Sequence, residues 1–270
     1  MGDPNPLVLI GIGSSFAFSC LFYGLYKEKK EELNKLKQIP VFRPDQHLVN
    51  VLNSAPHKRL SYVAVEGIIQ ADGEPLVSRY VPRCFGVIQK ITTEEHWKHF
   101  NFATRTWNSR RVNKKETNNS VSFSLVSPES YMPDVYVKVQ TPLEASASIL
   151  ERVYSKVRRA EEGVADLVLQ TLSGEKPDAV VENEEMLRVG SSLIGFGEVV
   201  LEEGQVAKLQ APKNGRRYIL VSSDYRSFMH RHEASASMWK MLTAVTGITG
   251  AALLAGAVRS FFGKQDRKSK

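Results

Sequence analysis

The amino-acid sequence predicts an α+β fold, a mixed domain that lies between two transmembrane helices. Two uncharged runs, Leu7 to Tyr26 and Met241 to Val258, contain 20 and 18 residues. At 1.5 Å rise per residue the first run would span about 30 Å, the thickness of the hydrocarbon core of a bilayer. Between the two runs, β-rich segments are interspersed with helical ones, a pattern typical of an α+β domain.

Length and composition fit a folded protein of one or two domains. The chain has 270 residues, of which 42% are hydrophobic and 24% charged, fractions that are typical of globular rather than disordered proteins. Its two cysteines, Cys20 and Cys84, are too few for a disulfide framework or a cysteine-rich zinc module. Between the uncharged runs, 31 basic and 27 acidic side chains are mixed along the chain. Because they form no basic stripe, nucleic-acid binding is not expected.

The first uncharged run has two interpretations, an uncleaved anchor or a cleaved signal peptide. The segment before it contains Asp3 and no Lys or Arg, and no A-x-A-like cleavage site follows at Tyr23 to Tyr26, which favours the anchor. The second run is flanked by Lys240 and Arg259, with the aromatic Trp239 beside it, as is common at membrane interfaces. A buried core helix is the alternative for this run.

Two spans place both ends of the chain on the same side of a membrane, but they do not determine which side that is. Basic residues follow each span, on opposite sides of the membrane, so the positive-inside rule gives conflicting indications. We predict five segments: an N-terminal transmembrane anchor at 1–26, a charged juxtamembrane linker at 27–47, the α+β domain at 48–237, a second transmembrane helix at 238–262 and a basic tail at 263–270. The linker is expected to begin as a helical extension of the anchor, over Lys27 to Leu36.

Small residues recur at four-residue spacing in both uncharged runs. They are Gly11, Ser15 and Ser19 in the first run and Gly247, Ala251 and Ala255 in the second. Such stripes let helices approach closely in lipid, so the spans are expected to pack on each other or on a second copy of the chain. The alternative is that the stripes reflect only the general abundance of small residues in transmembrane helices.

The first half of the central domain is predicted to be mostly β. Gly67 indicates a bulge or a close backbone approach within its strand, and a polar, aromatic stretch lies between Trp97 and Trp107. In the last two strands apolar residues alternate with polar ones, so each is expected to bury one face. The predicted elements are a short helix at Leu48–Leu52 and strands at Tyr62–Gln70, Gly86–Ile91, Val121–Leu125 and Val135–Val139.

A helix is predicted next, because Thr141-Pro142-Leu143-Glu144 resembles a capping box with proline at the first helical position. Apolar residues then fall on one side at helical spacing, and they are Leu143, Ala147, Leu150, Tyr154 and Val157. Gly163 is expected to mark the end of this helix or the start of a second short helix to Leu172. The remaining predicted elements are strands at Leu193–Leu201, Val206–Leu209 and Tyr218–Val221 and a helix at Asp224–Lys240 that leads into the second span.

No group of residues forms a strong catalytic or metal-binding signature. His96 and His99 would share one face of a helical turn, but no Cys or further His with zinc-like spacing accompanies them, so we interpret them as surface histidines. His230 and His232 are interpreted as part of the polar face of the helix before the second span. We therefore name no catalytic, cofactor-binding or metal-binding residue and expect no cofactor.

Three weaker patterns have structural interpretations. Cys84 would act as a nucleophile only with a lowered pKa and a nearby base. The favoured interpretation is that Cys84 is a small residue packed in the fold. Gly190, Gly195 and Gly197 lack the spacing and the Gly-Lys-Ser/Thr of a phosphate loop, so we interpret them as β-turn glycines. Asn118-Asn119-Ser120 is an N-glycosylation sequon, which matters only if this region enters the secretory lumen.

Six runs of the sequence, in order and spacing, carry a resemblance to a known family. They are Tyr62–Gly67 (YVAVEG), Gly86–Lys90 (GVIQK), Thr106–Asn108 (TWN), Ser173–Pro177 (SGEKP), Glu185–Gly197 (EMLRVGSSLIGFG) and Leu209–Gly215 (LQAPKNG). The sequence resembles the mitochondrial-anchored RING-type ubiquitin and SUMO ligase family. This resemblance implies two anchors in the mitochondrial outer membrane, a central domain in the intermembrane space and both termini in the cytosol.

The same resemblance implies a RING finger after the second span. A RING uses eight Cys and His ligands around two zinc ions, and such modules derive their folding energy from the metal. Residues Arg259 to Lys270 contain neither Cys nor His. We therefore expect this chain to lack the RING and to be inactive alone as a ubiquitin transferase, and no catalytic residue is transferred from the family.

Our interpretation is a RING-less protein of the mitochondrial outer membrane that binds partners or regulates protein ubiquitination and mitochondrial organisation. The expected partners are membrane lipid and either a second copy of the chain or a RING-bearing relative. One alternative is a truncated form of an active ubiquitin ligase whose RING lies beyond this chain. The least favoured alternative is a membrane-bound enzyme that uses Cys84 or the pair His96 and His99.

Overall fold

The chain divides into two compact units, one formed by residues 1–39 with 225–270 and the other by residues 40–224. The computed structural model describes residues 6–101, 103–128, 135–146, 149–159, 175–202 and 206–265. These residues contain three α-helices, which are α1 (Pro6–Lys37), α2 (Gln46–Ser54) and α3 (Tyr225–Gln265). Helices α1 and α3 belong to the first unit, and α2 belongs to the second.

Helices α1 and α3 are both long and apolar enough to cross a membrane. Within the second uncharged run Gly250 is the single buried residue, and most of the other side chains are exposed. This run therefore does not have the burial expected of the core helix of a soluble domain. Helix α1 continues to Lys37, and α3 begins at Tyr225. The predicted helical start of the linker and the predicted helix leading into the second span are thus confirmed.

The second unit is built mainly from β-strands. The strands are β1 (Val41–Phe42), β2 (Arg59–Ala71), β3 (Leu76–Val77), β4 (Phe85–Asn101), β5 (Thr106–Ser120), β6 (Phe123–Val126), β7 (Tyr136–Val139), β8 (Glu151–Arg159), β9 (Glu175–Arg188), β10 (Ser192–Leu201), β11 (Ala207–Gln210) and β12 (Ile219–Val221). Two short 3₁₀ helices are also present: Pro56–Lys58 lies between α2 and β2, and Pro142–Glu144 lies between β7 and β8.

The first sheet closes on itself. Its strand order is β1-β2-β6-β7-β11-β10-β12, and β2 also pairs with β10. The strands β2, β6, β7, β11 and β10 therefore form a ring of paired strands, in which β7 and β11 are parallel. The hydrophobic core includes Leu125, Val137 and Leu209 from these strands. Leu48 and Leu52 of α2, both fully buried, join the same core.

The second sheet has the order β3-β4-β9-β8, with β5 also paired to β4. Its base belongs to the core, because Val87 and Ile88 of β4 and Leu187 of β9 are buried. Burial stops along the strands: β4 has no buried residue after Thr92, and β9 has none before Glu184. The far half of the sheet therefore extends away from the core.

The predicted fold class, α+β between two apolar helices, is confirmed. The predicted helix at Leu48–Leu52 lies within α2, and the strands predicted from Tyr62, Gly86, Val135, Leu193, Val206 and Tyr218 correspond to β2, β4, β7, β10, β11 and β12. Gly67 is a site of close approach, since a Cβ added there would lie 2.9 Å from the Cβ of Leu125. The finer domain boundaries at residues 26, 47, 237 and 262 stay predictions.

The helix predicted from Thr141 to Val157 is wrong. Thr141 has φ 42° and ψ 53°, a left-handed conformation, and its side chain makes no capping hydrogen bond. After one 3₁₀ turn the chain enters β8, where it pairs with β9. The expected apolar stripe is not buried, because Leu143 and Val157 are 64% and 58% exposed. The predicted continuation to Leu172 lies outside the described residues.

The prediction that β6 buries one face is also wrong. Phe123, Ser124 and Leu125 are all buried, although they alternate between the two faces of the strand. The hydroxyl of Ser124 donates a hydrogen bond to Oδ1 of Asp72 at 2.6 Å. This bond offsets the cost of burying a polar group, so a serine lies on a covered face without disrupting the core.

Candidate functional site

A buried carboxylate organises the base of the second sheet. Glu184 of β9 is fully buried, and its two oxygens accept four hydrogen bonds. The donors are the hydroxyl of Ser78 at 2.6 Å, the backbone N–H of Arg79 at 2.9 Å, the backbone N–H of Tyr80 at 3.3 Å and the amide of Gln89 at 2.6 Å. A buried ionised carboxylate requires this kind of saturation, because an unpaired one would be strongly destabilising.

The donors keep Glu184 ionised despite its burial. Burial opposes ionisation and would raise the pKa of this carboxyl, but the hydrogen bonds together outweigh burial and hold the pKa below its ordinary value. Three of the four donors lie in the segment that follows β3. Glu184 therefore fixes the position of that segment, and the ring of Tyr80 stacks on Tyr154 of β8 with 4.3 Å between centroids.

An open groove of about 650 Å³ lies beside this fixed segment. Phe85 and Val189 give it exposed apolar surface, at 45% and 37% exposure, and Arg83, Arg152 and Arg188 give it positive charge. The described lining residues are Pro75, Val81, Pro82, Arg83, Cys84, Phe85, Glu151, Arg152, Val153, Arg188 and Val189. Mixed apolar and cationic surface of this kind suits contact with a protein segment or an anion.

Cys84, the sequence's candidate nucleophile, lines this groove and is half-buried. None of the described lining residues is a histidine. The carboxylate among them, Glu151, accepts hydrogen bonds from Arg188 at 2.9 Å and from the hydroxyl of Ser222 at 3.0 Å. The groove therefore brings Cys84 no imidazole base of the kind that activates a thiol.

Neither histidine pair is among the described residues that line this groove. His96 and His99 lie on β4, so the helical turn considered from the sequence does not form, and residues three apart on a strand point to opposite faces. His232 packs against Phe228 of α3, with 4.6 Å between ring centroids, and His230 is exposed. Throughout the ranges that the structure describes, no three His, Cys, Asp or Glu side chains are grouped as a metal site requires.

The glycines that the sequence assigned to β-turns have two different roles. Gly190 lies in a turn with φ 82°, as predicted. Gly195 and Gly197 lie inside β10 instead, and there the turn prediction is wrong. A Cβ added to Gly197 would lie 2.6 Å from the backbone oxygen of Gln210, and one added to Gly195 would overlap Leu209. These two glycines allow neighbouring strands and side chains to pack closely.

Strand β5 is the feature that the sequence patterns missed. It pairs with β4 over its whole length, from Thr106 opposite Asn101 to Ser120 opposite Ile88, yet all of its 15 residues are exposed. At the far end, Trp107 contacts Phe100 with 5.3 Å between ring centroids. The sequon beginning at Asn118 lies in this strand. Alternation fails as a signal here because neither face of β5 is buried.

The anchor helices pack through part of their predicted small-residue stripes. The hydroxyl of Ser19 donates to the carbonyl oxygen of Thr243 at 3.1 Å, and a Cβ added to Gly247 would lie 3.2 Å from the Ser19 hydroxyl. A Cβ added to Gly250, which is outside the predicted stripe, would lie 3.2 Å from the Cβ of Ser15. Packing of the spans on each other is thus confirmed.

The contact face of α3 differs from the predicted stripe. Ala251 and Ala255, which the spacing assigned to it, are exposed. Thr246 is half-buried beside Gly247 and Gly250 instead. The predicted contact with a second copy of the chain stays a prediction.

Comparison with known proteins identifies relatives over most of the chain. Residues 92–256 match a family described as GIDE, E3 ubiquitin ligase. The chain is 38% identical over 263 residues to the mitochondrial ubiquitin ligase activator of nfkb 1-A of Danio rerio, a match that covers 97% of this chain and 76% of that relative.

Two further relatives support the same grouping. The mitochondrial ubiquitin ligase activator of NFKB 1 of Homo sapiens is 34% identical over 267 residues, which are 98% of this chain and 75% of the relative. The mitochondrial E3 ubiquitin protein ligase 1 of Drosophila melanogaster is 25% identical over 243 residues, which are 90% of this chain and 70% of the relative. No solved structure matches the chain.

Proposed function

Because the chain belongs to the GIDE family of E3 ubiquitin ligases, we propose that it is a mitochondrial outer-membrane protein whose central domain, residues 40–224, binds partners in protein ubiquitination. In this proposal α1 and α3 cross the membrane, the central domain lies in the intermembrane space, and both termini are cytosolic. The chain acts as a regulatory or adaptor module in ubiquitination and mitochondrial organisation.

The extent of the similarity is the observation that carries this proposal. The match to the Danio rerio relative covers 97% of this chain, so it includes both apolar helices as well as the domain between them. The packing of α1 on α3, with a hydrogen bond from Ser19 to Thr243, supports an anchor made of two adjacent spans. A helix pair of this kind returns the chain to the side of the membrane where it started.

Residues 1–270 supply no zinc-built head for ubiquitin transfer. Such a head needs clustered Cys and His ligands, whereas the 270 residues contain two cysteines, one in α1 and the other in the groove. We therefore assign ubiquitin transfer to another segment or another chain, and we assign partner binding to the central domain. The groove beside the segment that Glu184 fixes and the exposed strand β5 are surfaces suited to that role.

A ubiquitination reaction tests whether ubiquitin transfer depends on a segment or chain other than residues 1–270. Residues 1–270, purified and incubated with activating enzyme, conjugating enzyme, ubiquitin and ATP, are expected to build no ubiquitin chains. Adding a RING-bearing relative supplies the positive control, and co-purification of the two proteins tests the adaptor role. Ubiquitin chains assembled by residues 1–270 without a second ligase would overturn the proposal.

Protease protection tests the topology. One epitope tag is placed at the N-terminus and a second in the turn at Gly73, where a Cβ would have no atom within 4 Å. In intact mitochondria we expect protease to remove the first tag and spare the second until the outer membrane is opened, and we expect alkaline carbonate to leave the protein in the pellet. Cleavage at the second tag with the outer membrane intact contradicts the proposed placement.

A further inference from the structure

Strand β5 leaves one of its edges unpaired. The described strands pair with it on the side of β4 alone, and every one of its 15 residues is exposed. In an antiparallel edge strand about every second residue directs both its N–H and its C=O away from the sheet. These groups of β5 therefore face solvent, and such a row is a ready template for an added strand.

We infer that β5 is a docking edge, to which an extended acidic segment of a partner protein adds as a further strand of the sheet. This inference rests on the proposed role of the central domain in partner binding and names the surface and the chemistry of the partner. Backbone hydrogen bonds would align the added segment, and the side chains of β5 would select for its charge.

The charge of β5 is distinct from that of the domain that carries it. Residues 40–224 contain 23 basic and 23 acidic side chains, so the domain is formally neutral. Strand β5 has four basic residues, Arg110, Arg111, Lys114 and Lys115, against one acidic residue, Glu116. An added strand with the opposite charge would gain electrostatic complementarity along this edge.

Part of this positive charge has no counterion in the described structure. Lys114 lies 2.9 Å from Glu116, and Arg111 lies 3.9 Å from Glu94. Arg110 and Lys115 are both exposed in β5, and neither forms a salt bridge with a described residue. These two residues are therefore open to carboxylates supplied by a partner.

The arrangement of the basic residues favours a strand over a lipid surface. Neighbouring residues of a strand point to opposite faces, so Lys114 and Lys115 lie on different faces of the sheet, as do Arg110 and Arg111. A flat anionic membrane would contact only one face. A strand added at the edge carries side chains to both faces, so a partner with pairs of adjacent Asp or Glu residues would match both pairs of basic residues.

The same residues disfavour pairing of β5 with a second copy of itself. An antiparallel pair of two copies centred near Val112 would bring Arg110 and Arg111 opposite Lys115 and Lys114, and like charges directly opposite are destabilising. The register of β4 and β5 skips Val112, which is a bulge, and bulges also interrupt unwanted pairing. An added strand would align on the regular segment from Asn113 to Ser120, and its further acidic residues would reach Arg110 and Arg111.

A peptide-binding measurement on the full chain in nanodiscs tests the inference. The probe is a fluorescent peptide of about twelve residues with two Glu-Glu pairs in a Thr/Val background, and its matched control has Lys in place of Glu. We expect the acidic peptide to bind and the basic one not to bind. The double variant Lys114→Glu/Lys115→Glu is expected to weaken acidic-peptide binding by about tenfold or more, whereas the same change on β8, Lys156→Glu/Arg159→Glu, leaves it unchanged.

A second probe separates strand addition from simple charge attraction. The acidic peptide is N-methylated at alternate amides, which preserves its charge and removes the donors that a strand needs. Loss of binding by this peptide supports strand addition, and binding equal to that of the parent peptide overturns it. An unchanged melting temperature of the β5 variant shows that the domain remains folded.

The remaining outcomes contradict the inference. It is wrong if the β8 variant loses peptide binding while the β5 variant keeps it. It is also wrong if no acidic peptide binds, or if only vesicles of phosphatidylserine and phosphatidylcholine bind in a β5-dependent way. A reciprocal pull-down from mitochondria tests the proposed partner-binding role separately, because partners bound through the groove would persist in the β5 variant.

Discussion

Strands β5 and β10 have opposite environments within the same domain. Strand β10 pairs with β2, β11 and β12, and seven consecutive residues, from Leu193 to Val199, are buried. Strand β5 pairs with β4 along one edge, and none of its residues is buried. Strand β5 is thus the longer of the two and contributes no buried residue, whereas most residues of β10 are buried.

The difference shows that a strand of this protein can be paired along its length without being buried. Strand β10 has the sequence SLIGFGEVVL, in which glycines and apolar residues allow close packing on both faces. Strand β5 has the sequence TWNSRRVNKKETNNS, which suits solvent on both faces. Pairing with β4 holds β5 in position, and the polar composition of β5 suits the exposure of its outer edge to solvent. Stability should therefore depend on β10, and partner recognition on β5.

The largest expected effect is on β10. The substitution Gly197→Ala places a Cβ 2.6 Å from the backbone oxygen of Gln210, and the backbone there cannot move without breaking the pairing with β11. We expect a loss of about 3 kcal/mol or more in the free energy of unfolding. Thermal melting of the full chain in detergent measures it. The control is Gly73→Ala, where the added Cβ has no neighbour within 4 Å, and equal melting temperatures for the two variants would contradict the packing role.

The next effect is at the buried carboxylate near the base of the sheet that carries β5. The substitution Glu184→Gln turns an acceptor of four hydrogen bonds into a group with one oxygen and an NH₂ that faces donors. We expect a loss of about 2–3 kcal/mol in the free energy of unfolding and faster proteolysis near Tyr80. Glu185→Gln is the control, because Glu185 is partly exposed and lies 3.6 Å from Arg152. A smaller effect at Glu184 than at Glu185 would exclude the organising role.

The same carboxylate gives the domain a pH dependence. The pKa of Glu184 is lower in the folded protein than its ordinary value, so its contribution to stability is present above the pKa of the unfolded chain. That contribution is lost as the pH falls from the pKa of the unfolded chain through the lower folded pKa. Melting temperature against pH should fall less steeply in this range for Glu184→Gln than for the wild type. Parallel curves would show that another group controls acid stability.

The contrast between a packed side and an open side also applies to α3. A Cβ added to Gly250 would lie 3.2 Å from the Cβ of Ser15, whereas one added to Gly256 would have no neighbour within 4 Å. We expect Gly250→Leu to weaken the packing of the helices by about 1–2 kcal/mol and Gly256→Leu to leave it unchanged. Crosslinking between cysteines placed at Ser19 and Gly247, with Cys20 and Cys84 replaced, reports the packing. Equal crosslinking yields in both leucine variants would contradict this arrangement.

The smallest effect is expected on β5 itself. Val112 is 49% exposed and contributes little to the core, so Val112→Thr should change the free energy of unfolding by less than about 0.5 kcal/mol. Thermal melting under the conditions used for Gly197→Ala gives the comparison directly. A large loss of stability in this variant would mean that β5 is covered and that its contrast with β10 is false.

The sequence predicted the helices and the inner strands because their patterns reflect burial or lipid contact. The apolar runs and the β-rich segments around Val63 and Ile194 are of this kind. The helix predicted after Thr141 failed because a pairing partner distant in sequence, β9, placed residues 151–159 in a strand. Local capping and helical spacing contain no information about that partner, and tertiary pairing overrode them.

The candidate sites were harder to predict. Cys84 was identified, but the groove around it combines residues from four parts of the chain, including Glu151 and Arg188. The hydrogen bonds that fix Glu184 join it to Ser78, which is more than one hundred residues away. No periodic pattern identified β5, because a strand that is exposed on both faces has no apolar alternation. Its adjacent basic pairs and its sequence TWN were visible, but neither indicates a strand.

Hydrogen–deuterium exchange of the full chain in nanodiscs tests the open edge of β5 most directly. Amides of β10 should exchange slowest in the domain, because neighbouring strands pair along its length. In β5 the amides that bond to β4 should show moderate protection, and the outward amides should exchange rapidly. Protection of the whole of β5 equal to that of β10, without any added partner, would contradict the claim that this strand is open for docking.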